Sequence, residues 1–350
     1  MALPSSQTVA WITNPGPNGT LDIVSGKPIH QPGEHEILVK LQCSGICHSD
    51  CMNVEGRGSY TPIPGHEGVG TVVSLGPGSP SSLLGKRVGI KWLWSACGKC
   101  SACKRGQINN CPAQSNTGRT VLGTLQQYVV AHADFVQIIP DGVESEVAAP
   151  LLCAGLSLAG AVSKLAPEVQ KGDAVVIVGA GGGLGHIGVQ IATIKGFRVL
   201  AVDSGAEKER LCKEMGAVEF IDYAKVNVVE AVRALTDGEG AHGVIMVAGS
   251  EKAYEQGPQL VRNNGVFVCV GLPPPTFMFP MSPIQIANRG LVIRGSSTGT
   301  AEQMDELLQL ALKGKIMPKI EVFDFEDAPK IIKELQGYEV SGRKVVRAPA

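Results

Sequence analysis

Two patterns of apolar and polar residues divide this chain. Up to about residue 150 the apolar positions come in short runs: Ile37, Val39 and Leu41 alternate with polar neighbours within Glu36 to Gln42. Val69 to Leu75 and Arg87 to Ile90 are rich in β-formers and bounded by glycine or proline. This predicts a mostly β domain. Leu151 to Leu165 is apolar with helical character and stops before Pro167. Beyond it, Ala174 to Val178 is a continuous apolar run, a glycine cluster follows, and Ile187, Ile191 and Ile194 recur at helical spacing before a second run at Val199 to Val202. Further short strands are expected at Val218 to Ile221, Val244 to Ala248, Val266 to Val270 and Leu291 to Ile293, with helical stretches such as Val228 to Leu235 and Glu251 to Val261 between them. Apolar strands that alternate with helices belong to a parallel sheet covered on both faces, so the class is α/β. Pro273 to Pro283 reads as a long irregular connection. Helices at about Glu302 to Lys313 and Ala328 to Leu335 and a strand near Arg343 to Val346 complete the chain.

Composition narrows the partners. The 350 residues are 44% hydrophobic and 18% charged with a formal net charge of -1, and without a basic run there is no electrostatic case for nucleic acid or an anionic membrane. Met1 to Ala10 has no leader pattern, no apolar run approaches the roughly 18 residues of a membrane helix, and the final Arg347 to Ala350 carries no retention or lipidation signal. The expectation is a cytoplasmic protein with a small-molecule substrate. In that compartment disulfides are rare, so the 10 cysteines point toward metal.

Cys97, Cys100, Cys103 and Cys111 are the strongest local signal. Four thiols this close in sequence can close around one tetrahedral zinc, and a site filled by four thiolates leaves no position for substrate, so this metal is read as structural. The alternative is a set of free or disulfide-bonded cysteines. Gly98, Lys99, Lys104, Arg105 and Gly106 permit tight turns and offset negative charge.

The run Val178 to Gly185 lies between an apolar strand and an amphipathic helix, with Gly181, Gly182, Gly183 and Leu184 at its centre. A dinucleotide pyrophosphate can rest there on a helix N-terminus, where glycine admits close backbone approach. The spacing has one residue more than G-x-G-x-x-G, and tight strand-helix packing alone would also call for such a turn. Asp203, closing the next strand, can accept hydrogen bonds from ribose hydroxyls and repels a 2′-phosphate, while Ser204, Gly205 and Ala206 supply no arginine. NAD is favoured over NADP.

Cys47-His48-Ser49-Asp50, Gly65-His66-Glu67-Gly68 and Leu152-Cys153-Ala154-Gly155 each have an ordinary packing or surface explanation, and spacing does not show that they converge. Together with the four-cysteine loop, Gly89-Ile90-Lys91-Trp92, Gly183-Leu184-Gly185 and Ser341-Gly342-Arg343, in this order along nearly the whole chain, they resemble the zinc-dependent medium-chain alcohol dehydrogenases, most closely the yeast and fungal branch. The resemblance implies a GroES-like catalytic domain over 1–155, a Rossmann NAD domain over 156–293, and a segment 294–350 that returns to the first domain, with the active site in the cleft between domains.

It also implies two zinc ions per chain. Cys47, His66 and Cys153 become ligands of a catalytic zinc, Glu67 a carboxylate able to approach it, and Asp50 the acid that orients His66. His48 and Arg343 match pyrophosphate contacts, Asp203 and Lys208 ribose contacts, and Val270, Leu272, Ser296 and Thr298 the nicotinamide side. Ser49 matches the hydroxyl that passes the substrate proton toward the cofactor ribose. The implied activity is hydride transfer between primary alcohols and NAD, bulky or aromatic ones being expected from the shortened segment before Gly65; a polyol or secondary-alcohol dehydrogenase and a non-catalytic NAD(H)-binding zinc protein are the alternatives. A homotetramer is implied, with a dimer as second choice.

Two departures stand out. Where many relatives end the proton relay in histidine, this chain has Met52, and the segment before Gly65 is shorter than in the yeast enzymes and lacks a pocket tryptophan. Trp92 remains as a pocket wall, and Trp94 is a second wall or a packing residue beside the cysteine loop. Cys43, Cys51, Cys212 and Cys269 read as packing residues, and His30, His35, His132, His186 and His242 as surface or structural ones.

Overall fold

A computed structural model describes residues 3–58, 60–337 and 340–349; Met1, Ala2 and Ala350, named above among the terminal residues, lie outside it. Contacts divide the chain into two units, Met1–Cys153 with Thr300–Ala350, and Ala154–Gly299.

The first unit begins with a hairpin of β1 (Ser6–Thr13) and β2 (Thr20–Pro28), then β3 (Glu36–Ile46), α1 (His48–Val54), β4 (Glu67–Leu75), β5 (Arg87–Ile90) and β6 (Leu93–Ser95). A short α2 (Ser101–Lys104), β7 (Ser115–Asn116), β8 (Tyr128–His132), β9 (Gln137–Ile138) and α3 (Ser145–Pro150) follow. A π-helical turn, Leu151–Gly155, leads into the second unit.

That unit runs α4 (Leu156–Ser163), β10 (Ala174–Val178), α5 (Gly185–Ile194), β11 (Arg198–Asp203), α6 (Ala206–Glu214), β12 (Glu219–Asp222), α7 (Val228–Ala234), β13 (Ala241–Met246), α8 (Glu251–Leu260), β14 (Val261–Cys269), α9 (Pro283–Arg289) and β15 (Val292–Gly295). The chain then re-enters the first unit as α10 (Ala301–Leu312), β16 (Ile320–Phe323), α11 (Ala328–Gln336) and β17 (Arg343–Arg347).

In the second unit the sheet order is β12-β11-β10-β13-β14-β15, and every neighbouring pair is parallel. Strand order therefore reverses between β10 and β13, the place where doubly wound sheets bind ligands. Val176, Val178, Leu200, Val202, Val244, Met246 and Phe267 are buried together, which accounts for the unbroken apolar runs in the sequence. In the first unit a seven-stranded sheet runs β16-β17-β3-β4-β5-β9, with β8 on β3. The antiparallel β17-β3-β4 registers bring Lys344 opposite Ile46 and Gly45 opposite Glu67, so three distant segments meet just before α1.

Three expectations need correction. Arg294 to Gly299 stay with the second unit, because β15 runs to Gly295 and the Ser296 amide donates to the Cys269 carbonyl (2.9 Å). The irregular connection from Pro273 runs as expected to Ser282, but Pro283 already belongs to α9: Ser282 caps that helix through a box with Gln285, and Pro283 suits a first turn that needs no amide donor. The helical run at Leu151 starts at Ser145, since Pro150 ends α3 without breaking the axis. Ser145–Ser163 spans 19 residues, long and apolar enough by length and composition to cross a membrane, and 78% of its most apolar window is buried inside the protein.

Candidate active site

Cys47, His66, Glu67 and Cys153 converge, with one donor atom from each within 4.8 Å of the others. Cys47 is the N-cap of α1, directly after β3. Glu67 opens β4 and His66 lies just before it, behind a turn whose Gly65 has a φ of +101° and packs against Thr124 and Leu125 too tightly for a side chain. Cys153 sits in the middle of the π-helical turn, a local widening that re-aims side chains and recurs at functional sites. Cys47 Sγ and Cys153 Sγ lie 4.0 Å apart, and His66 Nε2 is 3.2 Å from Cys153 Sγ. Two thiolates sharing a tetrahedral zinc at its usual bond length would be about 3.8 Å apart, so the donor set and its spacing fit that ion.

Asp50 assembles the cluster. Its fully buried carboxylate accepts from the Cys47 amide (2.8 Å), the Gly65 amide (3.0 Å) and His66 Nδ1 (3.2 Å). One side chain thus ties the start of α1, the turn before β4 and the imidazole together, and turns Nε2 toward the cluster. Burial opposes protonation of His66, but the Asp50 charge and hydrogen bond outweigh it and raise its pKa well above the ordinary value. A hydrogen bond from Cys153 lowers the Cys47 pKa well below the usual thiol value despite burial, and the Cys153 thiol is pushed up by the same bond. A thiolate is therefore favoured at Cys47 before any metal arrives.

Glu67 and Arg343 form a buried ion pair beside the cluster. Gly45 faces Glu67 across the sheet, where any Cβ would collide with the carboxylate. Burial raises the Glu67 pKa and the Arg343 charge pulls it back. Glu67 Oε2 and Arg343 Nε are buried without a hydrogen-bond partner among the described residues, an acceptor and a donor that fit a metal ion and an anionic cofactor group respectively. Sequence reasoning paired Arg343 with a pyrophosphate and did not foresee its ion pair; only the long-range β17-β3-β4 register could have revealed it. Ser49 Oγ lies 3.5 Å from His66 Nε2, and the Trp92 ring meets the His66 ring edge-on at 5.2 Å. Trp94 instead stacks edge-on with His132 (5.4 Å), a packing role.

The second cluster is local. Cys97, Cys100, Cys103 and Cys111 also place their sulfurs within 4.8 Å of one another. Cys100 caps α2 by accepting from the Cys103 amide (3.4 Å), and the Cys97 amide points at Cys111 Sγ (3.4 Å). Backbone amides of Lys99 and Cys100 lower the Cys97 pKa to about 6, while desolvation and the Cys100 sulfur raise that of Cys103 to about 12.

In the second unit the glycine turn follows β10 at the reversal of strand order and leads into α5. A Cβ at Gly185 would strike the Gly179 carbonyl and Ala180, and one at Gly181 the Lys208 side chain. The buried Asp203 carboxylate, at the end of β11, accepts from the Gly181 amide (2.9 Å) and from Lys208 Nζ (2.9 Å), so turn, acid and lysine form one assembly. Val270, Leu272, Ser296 and Thr298 follow β14 and β15 at the same carboxyl edge. Ser296 Oγ is buried and unpartnered, whereas Leu272 is 78% exposed. His48 begins α1 beside Cys47 in the first unit.

A Rossmann sheet with an acid-tipped glycine turn, together with two thiol-rich clusters, defines a dinucleotide-binding metalloenzyme architecture. Residues 33–141 match the profile of the alcohol dehydrogenase GroES-like domain, and 183–313 that of the zinc-binding dehydrogenases. Alcohol dehydrogenase 1 of Emericella nidulans is 38% identical over 331 residues, covering 92% of this chain and 93% of the relative. A solved NAD-dependent alcohol dehydrogenase superposes with a TM-score of 0.87 at 28% identity, covering 98% and 100% of the two chains. Acetophenone reductase from Geotrichum candidum, solved with NAD, gives 0.84 at 26% identity over 99% and 98%. The chain belongs to the zinc-dependent medium-chain alcohol dehydrogenases.

Proposed function

We propose that this enzyme interconverts alcohols with aldehydes or ketones by hydride transfer to NAD, with Cys47, His66 and Cys153 holding a catalytic zinc and the Cys97, Cys100, Cys103 and Cys111 loop a structural one. The observation that carries the reading is the convergence of Cys47, His66, Glu67 and Cys153 around the Asp50 carboxylate. When bound, zinc would supply a Lewis acid that favours the deprotonated alcohol, and NAD the hydride acceptor.

The chain's own residues supply the rest. Asp50 fixes the imidazole so that its Nε2 is offered to the metal, and Ser49 Oγ stands beside that nitrogen, placed to take the substrate's hydroxyl proton. Arg343 neutralises Glu67 through Oε1 and leaves Oε2 without a partner. Trp92 walls the cluster against water. Asp203 supports NAD over NADP, because a carboxylate beside the ribose repels a 2′-phosphate. Lys208 holds that carboxylate in place; Gly181 to Leu184, Val270, Leu272, Ser296, Thr298, His48 and Arg343 complete the proposed cofactor contacts. With no pocket tryptophan in the shortened segment before Gly65, bulky or aromatic primary alcohols are the proposed substrates.

The outer side of β15 has no strand partner among the described residues, and Leu272, Met278 and Ile284 are exposed on the connection leading to it. A tetramer, or failing that a dimer, joined through this edge is the proposed assembly; a monomer mass by light scattering overturns it.

Reduced-nicotinamide absorbance tests the central reading, with zinc-loaded protein, NAD or NADP, and linear, aromatic and polyol alcohols, repeated on Cys47→Ala. NAD-dependent turnover that disappears in the variant is the expected result. Full zinc content and NADH binding without turnover of any alcohol would favour the non-catalytic reading instead.

A further inference from the structure

One cation, next in the chain to a residue packed on the Gly65 turn, has no part in the chemistry above. The Thr117 amide donates to the Trp92 carbonyl (2.9 Å), and Thr117 Oγ1 to that of Lys91 (2.7 Å), so this segment runs along the wall that carries Trp92. Gly118 is wedged against the turn that positions His66: a Cβ on it would lie 2.8 Å from the Gly65 carbonyl oxygen. Its own carbonyl accepts from Asn53 Nδ2 of α1 (3.1 Å), the helix that carries Ser49 and Asp50. Arg119 comes next. It leaves a backbone pinned between Trp92, Gly65 and α1, and its guanidinium lies over the loop that follows α1, against Gly58.

That loop is shaped for it. Gly58 has a φ of +85°, and a Cβ there would collide with Arg119 Nη2. Yet the half-buried guanidinium makes no hydrogen bond or ion pair among the described residues. Arg57, in the same loop, is already paired with Glu55 (2.8 Å), which also accepts from Gln336 (3.2 Å). A long side chain loses rotamer entropy when it is held in place, and a planar fork of donors without an acceptor regains none of it. Its geometry matches a carboxylate.

We propose that Arg119 is a substrate-recognition residue that takes a carboxylate at the far end of the alcohol, so that the substrate class is an ω-hydroxycarboxylate and its aldehyde acid. This rests on the alcohol dehydrogenase reading above and narrows it. The hydroxyl goes to the zinc ligands, the carbon chain lies along Trp92, and the distant anion meets the fork.

The test uses full-length, zinc-loaded enzyme with NAD and a homologous series of ω-hydroxycarboxylates, each beside its neutral ω-hydroxyamide. A charge-assisted pair is worth about tenfold or more in kcat/KM, so at the best chain length the acid should exceed the amide by that factor, mainly through a lower KM. Added salt should erode the ratio. In Arg119→Gln the ratio should collapse to about one, and Arg119→Lys should restore part of it.

Equal use of acid and amide by the unmodified enzyme, or a preference that survives Arg119→Gln, overturns the proposal. If Arg119→Gln fails to fold, the ratio in the unmodified enzyme and its salt dependence decide. Turnover of simple alcohols and amides without acid preference sinks this inference alone. No turnover of any alcohol sinks the reading beneath it as well.

Discussion

The two thiol clusters of this chain offer ligands of similar chemistry in opposite ways. Cys97, Cys100, Cys103 and Cys111 belong to one short stretch around α2, partly exposed, with backbone amides as their main partners. Cys47, His66 and Cys153 come from the end of β3, the start of β4 and a π-helical turn, and are held by the buried carboxylate of Asp50. A loop that supplies all its ligands locally can stabilise its own turns and has no need of the rest of the fold. A site assembled across a sheet depends on the whole fold, and so can present a metal with one position open. In the proposed reading four thiols stand for structure, and three ligands beside an ion-paired glutamate stand for chemistry.

Replacing one ligand in each cluster should separate these roles. Cys153→Ala should lower alcohol turnover by about a thousandfold or more while leaving the far-ultraviolet spectrum unchanged. Cys111→Ser should instead lower stability, by about 3–5 kcal/mol on loss of a structural metal, with one zinc fewer by elemental analysis and activity falling only as the folded fraction falls. If Cys111→Ser abolished turnover in fully folded protein, or Cys153→Ala unfolded the chain, the division of labour would be wrong.

A smaller effect sharpens the contrast. Asp50 touches no substrate in the proposed chemistry, so Asp50→Asn should act through His66. The asparagine oxygen can still accept from the Gly65 amide and His66 Nδ1, but its NH2 group cannot replace the oxygen that accepts from the Cys47 amide, and it lacks the charge that favours His66 as a donor at Nδ1. Supporting groups of this kind change metal affinity or activity by about ten- to a hundredfold. Zinc retention against a chelator should weaken together with kcat, and the four-cysteine loop should keep its metal. A fall in kcat with unchanged zinc retention would place Asp50 in another role.

How much of this was legible follows the same line. The cysteine loop could be read because its ligands are near in sequence, and the nucleotide unit because five parallel pairings leave long apolar runs and a glycine turn where close approach demands it. The convergence of Cys47, His66 and Cys153 was not readable from spacing and entered only through resemblance. The ion pair of Glu67 with Arg343 was missed altogether, since it is created by the register of β17 on β3 and of β3 on β4. Arg119 carried no signal, because nothing in its neighbours tells that Gly118 is pinned to Gly65. Pairings between distant strands are set by the folded sheet, and no local period encodes them.

Met52 supplies the smallest test, and the one closest to the boundary between the two roles. It lies on α1 three residues beyond Ser49, half-buried, and a thioether neither donates nor carries a proton. A proton taken up at Ser49 must therefore leave through water or another group, and the chemical step should depend on pH more steeply than it would with a base at this position. Met52→His installs a group that titrates near neutrality. At pH 8, where solvent already accepts the proton readily, turnover should change by no more than about threefold; toward pH 6 the variant should lose less rate than the parent, giving a shallower acid limb. Superimposable pH-rate profiles would mean that Met52 is not on the proton's path and that the exit from Ser49 lies elsewhere in the cluster. The thermal midpoint should stay within a few degrees for this variant, in contrast to Cys111→Ser, because a half-buried helical side chain is exchanged and no ligand is lost.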